Sequence, residues 1–294
     1  MEIVVEVGNR QQIEQIKDEL QFIEAFSKAI QPALNVRRVV VPADFDKTIN
    51  ELQNTTSYKS VRSHVAMAKI IELDDGITII LSPLLFTNGW DGQMRAEIYL
   101  HELVHVSNKR RFPQPLTQSP TTQLHFNTLY LLFDEYDANR KSFELADEIF
   151  PSKTPRFKAF IDGCFEGFFV SMVENTKDYD GIREEIKRFR WRHIDVGQFL
   201  ANTKEYFDHA SKDIVYTYSY IDHYSRFKGR EPDLLKSKFV NDKTLALIDF
   251  FRIKYEKHDS DLLDGLDLFA EFLGNFGMRF EDRPEGLYCH VLDI

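Results

Sequence analysis

The sequence predicts an α+β protein, in which a short sheet and two long helices are followed by a mostly helical second half. Apolar residues recur three and four positions apart over residues 10–32 and through most of the chain after residue 155, as in helices that bury one face. Residues 38–41 and 65–81 are rich in strand-forming side chains, and Asp74-Asp75-Gly76 interrupts the second segment as a hairpin turn would.

Local signals set the order of elements in the first half. Gly8-Asn9 precedes the first helix, and Pro32 closes it because proline disfavours a helix interior. Ser119-Pro120 begins the last helix of this half, since serine caps a helix N-terminus and proline fits its first position. The elements between are a strand at 38–41, a helix at 44–53, hairpin strands at 65–73 and 77–81, a helix at about 91–108, a proline-rich loop at 110–120 and a helix at 120–150.

After Pro155 the pattern is helical almost throughout, with breaks near Asp178–Gly181, Gly229–Pro232 and Asp259–Gly265. The sequence therefore predicts an α+β region over residues 1–150 and a helical region of similar size over residues 151–294. The second region would serve as a lid or a partner-binding part, either separate or packed as one unit with the first.

Composition excludes several classes of protein. A net charge of −10 argues against a general nucleic-acid binder. No basic segment followed by an apolar one marks a signal peptide, and no apolar run approaches the roughly 18 residues of a membrane helix. The two cysteines, Cys164 and Cys289, form neither a disulfide framework nor a CxxC site. We expect a cytoplasmic protein that does not enter a membrane, and its oligomeric state stays open.

A His-Glu-Leu-Val-His motif occupies residues 101–105, inside a predicted helix. Residues four apart share a helix face, so His101 and His105 can direct one imidazole nitrogen each at a single ion. Two imidazoles on one helix are half of a Zn²⁺ site, and Glu102 beside them can accept a proton from water at the ion. The motif predicts one Zn²⁺, two of its ligands and a general base.

A pattern with three fixed positions also arises by chance, so a helix with two hydrogen-bonded histidines is the alternative. The surroundings favour the metal site, because a hairpin precedes the motif and a candidate third ligand follows it. The motif also lies among apolar residues, namely Ile98, Leu100, Leu103, Val104 and Val106.

A catalytic zinc site needs a third protein ligand, and the chain after His105 lacks the Gly and His of the HExxHxxGxxH pattern. The next predicted helix contains Glu135-Tyr-Asp-Ala-Asn139. HExxH followed by Glu-x-x-Ala/Ser-Asn/Asp on a second helix resembles the gluzincin metallopeptidases, most of all the compact intracellular kind with a minimal zincin-like domain. The resemblance spans about residues 65–150. It implies that Glu135 is the third ligand and that Asn139 supports His101 from behind.

Two neighbouring acids rival Glu135 as the ligand. At about 100° per residue, Asp137 points about 200° away from Glu135, and Asp134 points about 100° to the other side. A solvated acidic helix face is the alternative for all three carboxylates. The stripe that contains Glu135 is mostly small or apolar, which favours Glu135 as the residue facing the core. Its members are Thr128, Leu131, Leu132, Glu135, Ala138, Asn139 and Ser142.

The same resemblance implies an edge strand that binds peptide substrate and a His or Tyr that stabilises the oxyanion. The hairpin of residues 65–81 could supply the edge strand, and it could equally be an ordinary structural hairpin. The tyrosine-rich segment Tyr216–Tyr224 is the richest source of an oxyanion stabiliser, with His223 and Tyr220 as candidates.

Two functions from different classes are consistent with these residues. The first is a zinc-dependent peptidase that hydrolyses peptide or protein substrates with water activated by the metal and Glu102 as general base. The second is a regulatory or partner-binding protein that uses a zincin-like fold with little or no protease activity. A third possibility is a structural helical protein with an accidental motif.

Overall fold

A computed structural model confirms the α+β class. It describes residues 1–30, 36–56, 58, 67–74, 76–87, 89–111, 119–174, 176–259 and 261–294. The predicted end of the first helix at Pro32, the start of the hairpin at Val65 and most of the proline-rich loop lie outside the described residues. No described helix is both long and apolar enough to cross a lipid bilayer.

The chain divides into two compact units. The first comprises Met1–Arg111 with Lys141–Ile161, and the second comprises Phe112–Arg140 with Asp162–Ile294. One long helix continues from the second unit into the first. The predicted division at residue 150 stays a prediction.

The first unit contains a mixed four-stranded sheet and the helix of the HELVH motif. Its elements are β1 (Glu2–Val5), α1 (Arg10–Ile30), β2 (Val36–Val41), α2 (Phe45–Leu52), β3 (Ala68–Leu73), β4 (Gly76–Leu81), a 3₁₀ turn (Pro83–Phe86) and α3 (Gly92–Arg111). The helix α4 (Pro120–Ile149) follows, and α5 (Pro155–Val173) begins in this unit.

The sheet has the strand order β1-β2-β4-β3. The strands β1, β2 and β4 run parallel, and β3 pairs antiparallel with β4, with Ala68 opposite Leu81 and Leu73 opposite Gly76. This confirms the predicted hairpin and places β3 at a sheet edge. Gly76 closes the turn at a φ of 131°, which favours glycine. The helix α3 contacts both hairpin strands.

The second unit is mainly helical and is rich in buried phenylalanine. Its further elements are α6 (Lys177–Arg190), α7 (Val196–His223), a 3₁₀ turn (Ser225–Arg230), α8 (Glu231–Leu234), α9 (Asp242–Glu256), α10 (Leu266–Leu273), β5 (Met278–Arg283) and β6 (Gly286–Val291). The high phenylalanine content is explained by its core, which contains the fully buried rings of Phe165, Phe199, Phe251, Phe269, Phe272 and Phe276.

Two features of this half differ from the sequence-based expectation. The C-terminal end of the region expected to be helical forms the antiparallel hairpin β5–β6. Gly277, directly before β5, and Gly286, the first residue of β6, both have a positive φ. The break predicted near Asp178–Gly181 lies a few residues earlier, between the end of α5 at Val173 and the start of α6 at Lys177. Asp178 and Asp180 favour a helix start, since carboxylates interact well with the positive end of the helix dipole.

A buried carboxylate in this unit makes its stability depend on pH. Ser171 Oγ donates a hydrogen bond of 2.6 Å to Asp213, and His209 links Asp213 to Asp178, with its Nε2 3.8 Å from Asp213 and its Nδ1 2.5 Å from Asp178. Burial raises the pKa of Asp213 to about 6. Because folding raises this pKa, Asp213 contributes to stability below the pKa of the unfolded chain, which is about 4. The contribution is lost as the pH rises through the pKa of the folded protein.

Asp213→Asn should therefore remove this pH dependence, because the amide still accepts from Ser171 and carries no charge. The difference in free energy of unfolding, variant minus wild type, should rise by about 2 kcal/mol when the pH is raised from about 4 to about 7. Denaturant titrations at the two pH values measure the difference. An equal difference between the two proteins at both pH values would contradict the assignment.

Candidate metal centre

The helix α3 brings the two motif histidines together. The Nε2 atoms of His101 and His105 are 2.9 Å apart, and the two rings meet edge to face with centroids 4.5 Å apart. Both side chains are half-buried. The pair has this geometry because residues four apart lie above one another on one face of a helix.

The side of α3 opposite the two histidines packs against the core of the first unit. Leu100, Leu103, Val104 and Val106 are buried, and α3 contacts strands β3 and β4. The apolar residues interleaved with the motif thus belong to the packed face. They leave His101 and His105 on the face that turns away from this core.

Glu102, the predicted general base, has a neighbour that the sequence did not indicate. Burial raises the pKa of Tyr58, and the negative charges of Asp46 and Glu102 raise it further. The backbone of Tyr58 is fixed by Asn50, whose side chain accepts from its amide at 3.0 Å and donates to its carbonyl at 2.9 Å. A phenol that stays protonated at neutral pH can therefore donate hydrogen bonds near Glu102.

Glu97 is a second residue that sequence reasoning missed. It lies four positions before His101 and is buried, and Ser142 Oγ donates a hydrogen bond of 3.0 Å to its Oε1. Burial raises the pKa of Glu97, while His101 and the Ser142 hydroxyl act to lower it. The spacing of four residues between Glu97 and His101 could have predicted this contact, because residues four apart share a helix face.

Glu135 lies on α4, with 17% of its side chain exposed. In the second unit, Lys212 Nζ is 3.1 Å from its Oε1, and the Tyr216 hydroxyl donates a hydrogen bond of 2.8 Å to its Oε2. The rival acids Asp134 and Asp137 are both buried. Among the described residues, one group of His, Cys, Asp or Glu side chains could hold a metal ion; its members are His101, His105 and Glu135, with ligand atoms within 4.8 Å of one another.

The other predicted site residues occupy distinct places. Asn139 is buried one turn after Glu135. Tyr220 is also buried, with its ring among Phe165, Phe168 and Phe227, and His223 ends α7 with its ring 4.5 Å from that of Tyr224. The roles of Asn139, His223 and Tyr220 stay predictions. Of the tyrosine-rich segment, it is Tyr216 that contacts Glu135.

Comparison of the chain with protein-family models, with curated proteins and with solved structures finds no match.

Proposed function

We propose that this chain is a zinc-dependent peptidase of gluzincin type, with His101, His105 and Glu135 as ligands of one Zn²⁺. The observation that carries the proposal is the group formed by these three side chains. Two imidazoles and one carboxylate are a common ligand set of catalytic zinc, because they leave a coordination position open for water or substrate. The residues present therefore fit the metal that the motif implies.

The contact between α3 and the end of α4 gives independent support for Glu135. Ser142 hydrogen-bonds Glu97 within the first unit. Glu135 lies seven residues before Ser142, about 10 Å along the helix and on nearly the same face. Glu135 therefore shares a face of α4 with Ser142, which contacts the motif helix.

In this proposal each residue has a defined task. When bound, Zn²⁺ supplies a Lewis acid that acidifies water and polarises a substrate carbonyl. Glu102 takes the proton from the attacking water and delivers it to the leaving amine nitrogen. Tyr58 stays protonated and donates a hydrogen bond near this proton transfer. The free edge of β3 would bind an extended peptide through its backbone groups.

The test is cleavage of an unbiased peptide mixture by the purified protein, followed by mass spectrometry. We expect cleavage that a zinc chelator abolishes and that added Zn²⁺ restores. His105→Ala should show no cleavage at any zinc concentration tested. Cleavage that persists in the chelator, or in His105→Ala, would overturn the proposal.

The same experiment separates the second candidate function. A protein that binds Zn²⁺ stoichiometrically and cleaves no peptide would act by binding a partner. The ion pair of Lys212 with Glu135 favours keeping this alternative, because a cation already occupies the carboxylate that the metal needs.

We further propose a cytoplasmic location. Cys164 and Cys289 remain thiols, as is usual where the cell keeps cysteines reduced.

A further inference from the structure

Two side chains of α7 hold the carboxylate of Glu135. The ammonium of Lys212 lies 3.1 Å from Oε1, and the hydroxyl of Tyr216 donates a hydrogen bond of 2.8 Å to Oε2. Lys212 and Tyr216 are four residues apart, so they share one face of α7. A single helix thus presents a cation to one oxygen and a neutral donor to the other.

We propose that Lys212 and Tyr216 set the metal affinity of Glu135 in opposite directions, Lys212 as a competitor of the metal and Tyr216 as a positioning residue. This inference rests on the proposed function, because it takes Glu135 to be the third ligand. It assigns to α7 the control of how readily the site loads with metal.

Lys212 opposes the metal for two reasons. Its ammonium and a divalent cation both require lone pairs of the same carboxylate, and two cations that share one carboxylate repel each other. The Lys212 side chain is 51% exposed, so it can move into water when a metal ion takes the oxygen it holds. Loading therefore costs the free energy of one partly exposed ion pair.

Tyr216 has the opposite effect because its hydroxyl is uncharged. A hydrogen bond to Oε2 leaves lone pairs of Oε1 for the metal and fixes the orientation of the carboxylate plane. The Tyr216 ring is itself held edge to face against Phe168, with centroids 4.8 Å apart. Partners that orient a metal ligand in this way typically contribute about 10-fold to 100-fold in metal affinity.

In this proposal Lys212 and the metal are alternative partners of the Glu135 carboxylate. The ion pair keeps Glu135 ordered and neutralised when Zn²⁺ is scarce, and Lys212 is released when Zn²⁺ binds. The ion pair thus raises the concentration of free zinc at which the site is half occupied.

The test is a zinc competition titration of the metal-free full-length protein against a chromophoric chelator. We expect Lys212→Met to bind Zn²⁺ about threefold to fivefold more tightly than the wild type, the upper part of the range that a partly exposed ion pair contributes. Tyr216→Phe should bind Zn²⁺ at least about tenfold more weakly than the wild type. The matched controls are Lys204→Met and Tyr206→Phe, which remove the same groups from α7 about 12 Å and about 15 Å along the helix from Lys212 and Tyr216. Both should stay within about twofold of the wild type.

The outcomes separate the two levels of the argument. If the wild type binds Zn²⁺ and both α7 variants bind it equally well, or if both shift in the same direction, the inference is wrong and the proposed function stands. If the wild type binds no Zn²⁺, both are wrong. Lys212→Gln replaces Lys212→Met if the methionine variant does not fold, with the same expected tightening.

Discussion

Glu102→Gln is expected to abolish peptide hydrolysis while the protein still binds one Zn²⁺. The amide has the shape of the carboxylate but cannot accept the proton of the attacking water, and loss of a general base typically costs about 10²-fold to 10⁴-fold in kcat. Both histidines and Glu135 are unchanged in this variant. The zinc content and the rate of cleavage of a peptide found in the substrate screen are the two measurements.

His101→Ala supplies the contrast, because it removes a ligand and should lose both zinc and activity. Glu144→Gln makes the same chemical change at an exposed position of α4 and should leave both unchanged. Full activity of Glu102→Gln on a cleavable peptide would show that the proton transfer has been assigned to the wrong residue.

Asp222→Ala is expected to destabilise the second unit by about 3 kcal/mol, because it removes the acceptor of a buried hydroxyl and one partner of a partly buried ion pair. The Tyr136 hydroxyl donates a hydrogen bond of 2.6 Å to Asp222, and Arg252 Nε lies 3.0 Å from the same carboxylate. Burial raises the pKa of Tyr136, and the charge of Asp222 raises it further. The substitution leaves both a buried hydroxyl and a half-buried cation without this acceptor.

The free energy of unfolding from denaturant titration checks the expected loss. Asp249→Ala is the matched control, because Asp249 also pairs with Arg252, at 2.9 Å, but is largely exposed. Such a pair typically contributes less than about 1 kcal/mol. Equal losses for the two variants would show that the Asp222 network does not anchor α4 to α7 and α9. The network also gives Asp222, which directly precedes His223 in the chain, a structural task.

Local signals were sufficient for the parts of the fold that depend on neighbours in sequence. The hairpin β3–β4, the helix α3 and the limits of α4 follow from turn residues, helix periodicity and the Ser119-Pro120 start. The parallel pairing of β1 with β2 has no such local signal, because residues 2–5 pair with residues 38–41 across the whole of α1. The hairpin β5–β6 was missed for a different reason, since aromatic and apolar residues there fit either a helix or a strand.

The candidate site divides in the same way. His101, Glu102 and His105 lie within five residues, so their shared helix face could be read from spacing alone. Tyr58, Lys212 and Tyr216 reach the site residues through the tertiary fold, and nothing in their sequence neighbourhood fixes that contact. Glu97 is intermediate, because its spacing from His101 was visible and its burial was not.

The most direct test of the central claim is X-ray absorption spectroscopy at the zinc edge on the zinc-loaded protein. The proposed centre predicts nitrogen and oxygen ligands at about 2.0–2.1 Å, with the scattering of two imidazoles for each zinc ion. Glu135→Gln should change the oxygen contribution and leave the imidazole signal in place. Sulfur scattering at about 2.3 Å, or a spectrum without the scattering of two imidazoles, would contradict a centre built from His101, His105 and Glu135.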